Sequence, residues 1–310
     1  MSGTAPGAFS DVRCSRRSAV GRLAGAGVIA AMAAMHLGVS RGAAQKATQP
    51  VRSSVTSFKK GTVMTDSTPT ANRAPLTVAL VHGAFADASG WNGVIKLLEA
   101  AGVTVTAPPN PLRGIAYDAA YIASFLNQIP GPVLLVGHSY GGAVITNAGS
   151  KAKNAVGLVY VAGLAPDEGE NLLALEKDSR DSVVLQALIP FQYPTGNGKE
   201  SATEFVIDPA RVHEVFAADL PESESAVIAA TQRPIAEATF SEPTTAPAWK
   251  ELPTWAVVAT GDKTLGTDVV RFCAERAKAT ITEVEGSHVI MISQPQAVTD
   301  VIMAAIDMVA

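Results

Sequence analysis

The chain has 310 residues, of which 47% are hydrophobic and 17% charged. A disordered chain would be poorer in apolar residues and richer in charge, so a globular protein with a substantial core is implied. Lys and Arg number 24 against 28 Asp and Glu, a net charge of −4, which leaves no strong basic field for nucleic acid.

The first 44 residues read as an address. Arg13, Arg16, Arg17 and Arg22 make a basic start. Leu23 to Val39 is a weakly apolar run, and Arg41-Gly42-Ala43-Ala44 ends in small residues. This is the order of an export signal, and the Arg16-Arg17 pair gives it a twin-arginine character. The run is short, Gly-rich and interrupted by His36, which disfavours a membrane span. A periplasmic or secreted protein is therefore expected, with cleavage after Ala44 and no stable membrane association afterwards. Translation from Met64 would instead give a cytoplasmic protein. Cys14 leaves with the signal, and Cys273 alone can form no intramolecular disulfide. Residues 45–75 are polar and read as a flexible lead-in.

From residue 76 to 310 apolar runs alternate with amphipathic stretches. Leu76–Val81 reads as a buried strand. Trp91, Val94, Ile95 and Leu98 share one helix face, and Val103–Ala107 is strand-like. Pro108, Pro109 and Pro111 force a loop. A helix around Tyr121–Leu126, a strand at Val133–Val136, a small-residue helix from Gly142 and a strand at Val156–Val161 follow. The rhythm breaks from about residue 167 to 250. That stretch shows helical pieces and no clear strand run, and is read as a helical lid insertion. It resumes with strand Trp255–Thr260, a helix near Val269–Ala277, strand Thr280–Val284 and a last helix from Pro295 to Val309. Such alternation predicts an α/β fold: a mostly parallel central sheet with helices on both faces. The lid would sit over the strands' C-terminal edge, where such sheets bind ligands.

Gly137-His138-Ser139-Tyr140-Gly141 is a G-x-S-x-G motif directly after a strand and opening a helix. That context places Ser139 on a sharp turn with its hydroxyl exposed. A serine needs a base, and chain order in this arrangement is Ser, acid, His. His288, on the loop after Thr280–Val284, fits best. His36 lies in the signal, His82 in the first loop and His213 in the lid, while His138 should point away along the turn. Asp262, after strand Trp255–Thr260, is the expected acid, with Asp167 as runner-up and Asp268 opening the next helix. Two backbone N–H groups must face the oxyanion. Tyr140 should give one; the loop His82-Gly83-Ala84-Phe85 should give the other, from Ala84 rather than Phe85. Phe85 and Trp91 are candidate walls of an apolar substrate pocket, with core packing the competing role for Trp91. No metal or organic cofactor is implied, because no His-Glu-x-x-His or Cys/His cluster occurs.

These motifs resemble those of the α/β-hydrolases. Within them, Val81-His82-Gly83-Ala84, Gly137 to Gly142, Thr260-Gly261-Asp262-Lys263 and His288 to Ile292 are similar to the plant methylesterases, including the salicylate-binding esterase, and to the hydroxynitrile lyases. Ala165-Pro166-Asp167 and Arg233-Pro234 match as well. The resemblance implies a triad of Ser139, Asp262 and His288 and an oxyanion hole at Ala84 and Tyr140. The lyases carry Thr and Lys where this chain has Gly83 and Val289, which disfavours lyase chemistry. The implied activity is hydrolysis of a small or medium carboxylic ester. Cofactor-free perhydrolase or dioxygenase chemistry on the same scaffold, and a ligand-binding receptor with a hydrolase body, are the alternatives.

Overall fold

The computed structural model describes residues 75–177, 179–196 and 198–310. The residues read as an export signal, and all but the last residue of those read as a lead-in, lie outside the described residues.

Six strands form one parallel sheet. β1 (Thr77–Val81) leads through a short 3-10 turn at Ala88–Trp91 into α1 (Asn92–Ala100). β2 (Thr104–Thr106), α2 (Ile115–Leu126), β3 (Val133–His138), α3 (Tyr140–Gly149) and β4 (Ala155–Val161) follow. The insertion then supplies α4 (Leu172–Glu176), β5 (Leu188–Thr195), β6 (Glu200–Ile207), α5 (Val212–Val215), α6 (Glu222–Thr231), β7 (Ile235–Ala236) and α7 (Ala238–Ser241). β8 (Thr254–Ala259), α8 (Thr267–Arg276), β9 (Thr280–Val284), α9 (Ile290–Ser293) and α10 (Pro295–Val309) complete the chain. The sheet order is β2-β1-β3-β4-β8-β9, with every pair parallel.

Burial explains the composition of the strands. Every residue of β1, β3 and β8 is buried, as a strand covered by helices on both faces requires. Alternation is lost there, and continuous runs such as Val133–Val136 result. The edges are short or open: β2 has three residues, and β9 is mostly exposed.

The insertion corrects the expected all-helical lid. β5 and β6 pair antiparallel along their whole length, and β7 adds to β6, giving a separate three-stranded sheet. Of the insertion's helices, only α6 exceeds five residues. Among the described residues, no helix is long and apolar enough to cross a membrane.

Candidate active site

β1 and β3 are neighbours whose other partners lie on opposite sides, so the strand order reverses between them. Loops at the C-terminal ends of such strands diverge and leave a crevice. Ser139 ends β3 in that crevice with φ 55° and ψ −126°. This backbone region is strained for serine, and neighbouring bonds hold it in place. The Ser139 N–H donates to Val161 O (3.2 Å), and its carbonyl accepts from Gly142 N (2.9 Å) and Leu164 N (3.2 Å). The flanking glycines are required by contact: a Cβ on Gly137 would sit 2.5 Å from Gly141 O, and one on Gly142 would sit 2.7 Å from Leu164 O.

The loop after β1 lies against this turn. A Cβ on Gly83 would come within 2.6 Å of Ser139 Cβ and 2.9 Å of His138 O. Beyond Gly83, neither Ala84 N–H nor Tyr140 N–H donates to another described residue. Tyr140 opens α3, where first-turn N–H groups lack intrahelical acceptors, and the helix dipole favours an anion there. The Tyr140 ring is tied down, its hydroxyl donating to buried Asp118 (2.8 Å).

His82 braces the other donor. Its Nδ1–H donates to Gly83 O (2.9 Å), while its Nε2 accepts from Asn110 N (2.9 Å) and lies 3.2 Å from Arg233 Nη1. Burial pushes the His82 pKa down to about 4, with the Arg233 charge adding to the effect, so the ring stays neutral and keeps this donor–acceptor pattern. Arg233 comes from the insertion and also donates to Asn110 O (3.0 Å).

His288 and Asp262 meet as the sequence predicts. His288 Nδ1 lies 2.7 Å from Asp262 Oδ2, and both side chains are fully buried. Asp262 Oδ1 accepts from Thr264 N (2.8 Å) and Leu265 N (3.1 Å), which fixes the carboxylate. His288 Nε2 is buried with no hydrogen-bond partner among the described residues. The His288 ring lies 4.7 Å from that of His138, the residue before Ser139, and no hydrogen bond joins Ser139 Oγ to His288, as apo sites often show.

His138 does more than point away from the nucleophile. Its Nε2–H donates to His288 O (2.9 Å), and the two rings lie 4.7 Å apart, so it joins the nucleophile turn to the histidine loop. Burial pushes its pKa well down and keeps it neutral. From the insertion, Phe216 packs on the His288 ring (5.2 Å) and edge-on against Phe85 (6.3 Å). Asp219 accepts from Ser287 N (2.8 Å) and Ser287 Oγ (2.5 Å), clamping the residue before the histidine.

A narrow cleft of about 20 Å³ opens on Ser139. Ala84, Phe85, Tyr140, Leu164, Leu172, Leu188 and Phe240 are among its walls. Phe85 is thus a wall residue, as predicted. Trp91 is not: it is fully buried and packs edge-on against His138 (6.3 Å), a core position beneath the site. Asp167 is taken by Lys250 (2.5 Å), away from the histidine. Asp268 lies in the first turn of α8 as expected, and His213 hydrogen-bonds Ser225 (3.0 Å) within the insertion. His36 lies outside the described residues. Among the described residues, no group of three or more His, Cys, Asp or Glu is placed to hold a metal ion.

Sequence reasoning did not single out Asn110, Asp118, Glu176, Phe216, Asp219 or Ser287. Arg233 carried a signal only as half of the Arg233-Pro234 pair.

Residues 78–301 match the sequence profile of the Alpha/beta hydrolase family. Polyneuridine aldehyde esterase is similar in structure, at 20% identity and a TM-score of 0.65 over 76% of this chain and 100% of that one. Tomato methylketone synthase I complexed with 2-tridecanone is similar at 22% identity and a TM-score of 0.63, covering 76% and 100%. A pyrethroid hydrolase from Sphingobium faniae JZ-2 is similar at 21% identity and a TM-score of 0.60, covering 76% and 98%. A search of curated proteins gave no significant match.

Proposed function

Because the chain belongs to the α/β-hydrolase family, we propose that it is a serine hydrolase that cleaves a small or medium carboxylic ester through an acyl-enzyme. The observation that carries the reading is the buried His288–Asp262 pair, whose ring, with Nε2 unpartnered among the described residues, lies 4.7 Å from that of His138, the residue before a serine held in a strained turn. An esterase and a pyrethroid hydrolase among the structural neighbours support the choice of a hydrolytic reaction on an ester.

Ser139 Oγ attacks the ester carbonyl as His288 Nε2 takes its proton. Asp262 holds the ring in the tautomer with hydrogen on Nδ1 and stabilises the imidazolium. The carbonyl oxygen becomes an oxyanion facing Ala84 N–H and Tyr140 N–H. Collapse breaks the bond to the leaving alcohol, which takes the proton from His288. Water then attacks the acyl-Ser139 carbonyl, giving its proton to His288, and the acid leaves with Ser139 restored. No step requires a metal or an organic cofactor.

The test is hydrolysis of a short-chain nitrophenyl ester series by the full chain and by Ser139→Ala folded to the same degree. Loss of at least about a thousandfold in kcat is expected. Activity untouched by the substitution refutes the nucleophile assignment. The export reading of residues 1–44 is tested separately. Fused to a reporter in a bacterium, they should deliver it outside the cytoplasm, and more poorly once Arg16 and Arg17 are both Lys.

A further inference from the structure

Glu176 ends α4, a five-residue helix of the insertion, with the sequence Leu172-Leu173-Ala174-Leu175-Glu176. A glutamate at the end of a short helix ordinarily faces water. This one is only 7% exposed and lines the cleft that opens on Ser139. Its carboxyl has no hydrogen-bond or ion-pair partner among the described residues.

The other polar side chains lining that cleft are committed or already assigned. The Tyr140 hydroxyl donates to Asp118 (2.8 Å) and the Thr264 hydroxyl donates to Val215 O (2.6 Å). Ser139 is the nucleophile. The remaining walls include Phe85, Leu164, Leu172, Val184, Ile235 and Leu265. Glu176 is therefore the uncommitted hydrogen-bonding side chain of an otherwise apolar substrate cavity. A buried carboxyl without a partner is costly, and its position against the reactive serine gives it a substrate to bind.

The chemistry of the partner follows from the surroundings. Burial, reinforced by the negative charge of Asp262, raises the carboxyl pKa to about 8, so Glu176 carries a proton at neutral pH. A neutral carboxylic acid donates one hydrogen bond and accepts others. It suits a hydroxyl or carbonyl oxygen. A free carboxylate on the substrate would be opposed by the same field that keeps the proton on Glu176. An ammonium would have to be stripped of water in a narrow apolar cleft, which favours the neutral oxygen.

Resting on the serine-hydrolase reading, we propose that Glu176 is a specificity-determining residue that hydrogen-bonds a neutral hydroxyl or carbonyl oxygen carried by the ester away from the bond that is cleaved.

The experiment uses the full chain and compares the parent with Glu176→Gln and Glu176→Leu. Each is first exposed to a fluorophosphonate probe, which labels an activated serine whatever the acyl specificity. Each is then assayed on three matched esters whose acyl chains end in methyl, hydroxyl or ammonium. The parent should favour the hydroxyl ester over the methyl ester in kcat/KM by about tenfold or more. Gln, which keeps a donor and an acceptor, should hold that ratio, and Leu should bring it close to one. Equal ratios in the parent and the Leu variant, with Ser139 labelled in both, overturn the proposal while leaving the serine-hydrolase reading intact. A parent that ranks the ammonium ester first, or the methyl ester above the hydroxyl ester, also overturns it and decides the matter even where the Leu variant does not fold. A parent that neither labels nor hydrolyses refutes the serine-hydrolase reading, and this assignment falls with it.

Discussion

The protonated state of Glu176 has a consequence for stability that needs no substrate. In the folded chain the carboxyl titrates at about 8, against an ordinary 4.5. Between those values the folded state holds a proton that the unfolded state has released, so this group lowers stability as pH rises through that window. Below about pH 4.5 both states are protonated and the penalty vanishes; above about pH 8 both are ionised and it has reached its full size. The full effect is at most about 5 kcal/mol, a large share of the 5–15 kcal/mol that holds a typical domain together. Glu176→Gln removes the titration and keeps the shape. Urea unfolding of parent and variant at about pH 5, 6.5, 8 and 9 gives the difference directly. His82 and His138, which burial holds neutral, destabilise both proteins on the acid side and cancel in that difference. The variant should gain stability relative to the parent steadily from about pH 5 to 8 and then level off, by several kcal/mol at the end. A difference that stays constant with pH would refute the buried, protonated carboxyl and the cavity built around it.

Gly83→Ala should lower kcat by at least about a hundredfold with a smaller change in KM, because its Cβ would sit 2.6 Å from Ser139 Cβ and displace the loop that carries Ala84 N–H. Steady-state kinetics on a nitrophenyl ester check this, and unchanged kcat would remove Ala84 from the oxyanion role. Arg233→Met should cost about 1.5–3 kcal/mol of stability, the worth of a charged hydrogen bond, and lower kcat about tenfold as the His82–Asn110 brace loosens. Urea unfolding and kinetics on the same variant separate the two effects.

The central sheet was legible because β1, β3, β4 and β8 are short apolar runs punctuated by loops, β2 and β9 are rich in β-branched residues, and β3 runs straight into a motif whose glycines have steric reasons. Asp262 and His288 could be chosen because the loops after β8 and β9 carry few other candidates. The second sheet was missed for a physical reason. β5 contains Pro190 and Pro194 and is largely exposed, so it shows neither a buried run nor a strong alternation. The sequence did hold one overlooked hairpin signal, Asn197-Gly198, between the two strands. Trp91 carried two readings because its apolar helix face fits a pocket wall as well as a core, and its complete burial answers to the second. Asp219 and Arg233 act through partners far away in sequence, and Glu176 is set apart only by its burial in the cleft, so nothing local distinguishes the three from surface charges.

Those long-range partners change what the insertion is for. A lid that only covered the cleft would touch its rim. This one reaches both halves of the proposed machinery: Arg233 hydrogen-bonds the loop that presents Ala84, and Asp219 hydrogen-bonds Ser287, next to His288. Phe216 sits between those halves, against Phe85 on one side and the His288 ring on the other. Glu176 lines the cleft from the same insertion. Movement of the insertion as a body would therefore shift the proposed oxyanion donor, the proposed base and Glu176 together, and polar bonds would break at two places to allow it. α4 is held at both ends as well: Glu170, just before it, pairs with Arg276 (2.7 Å), and Ser179 and Arg180, just after it, hydrogen-bond Asp268 (2.8 Å each). The cleft that Glu176 lines is therefore bounded by the same anchored insertion that braces the proposed oxyanion loop and base.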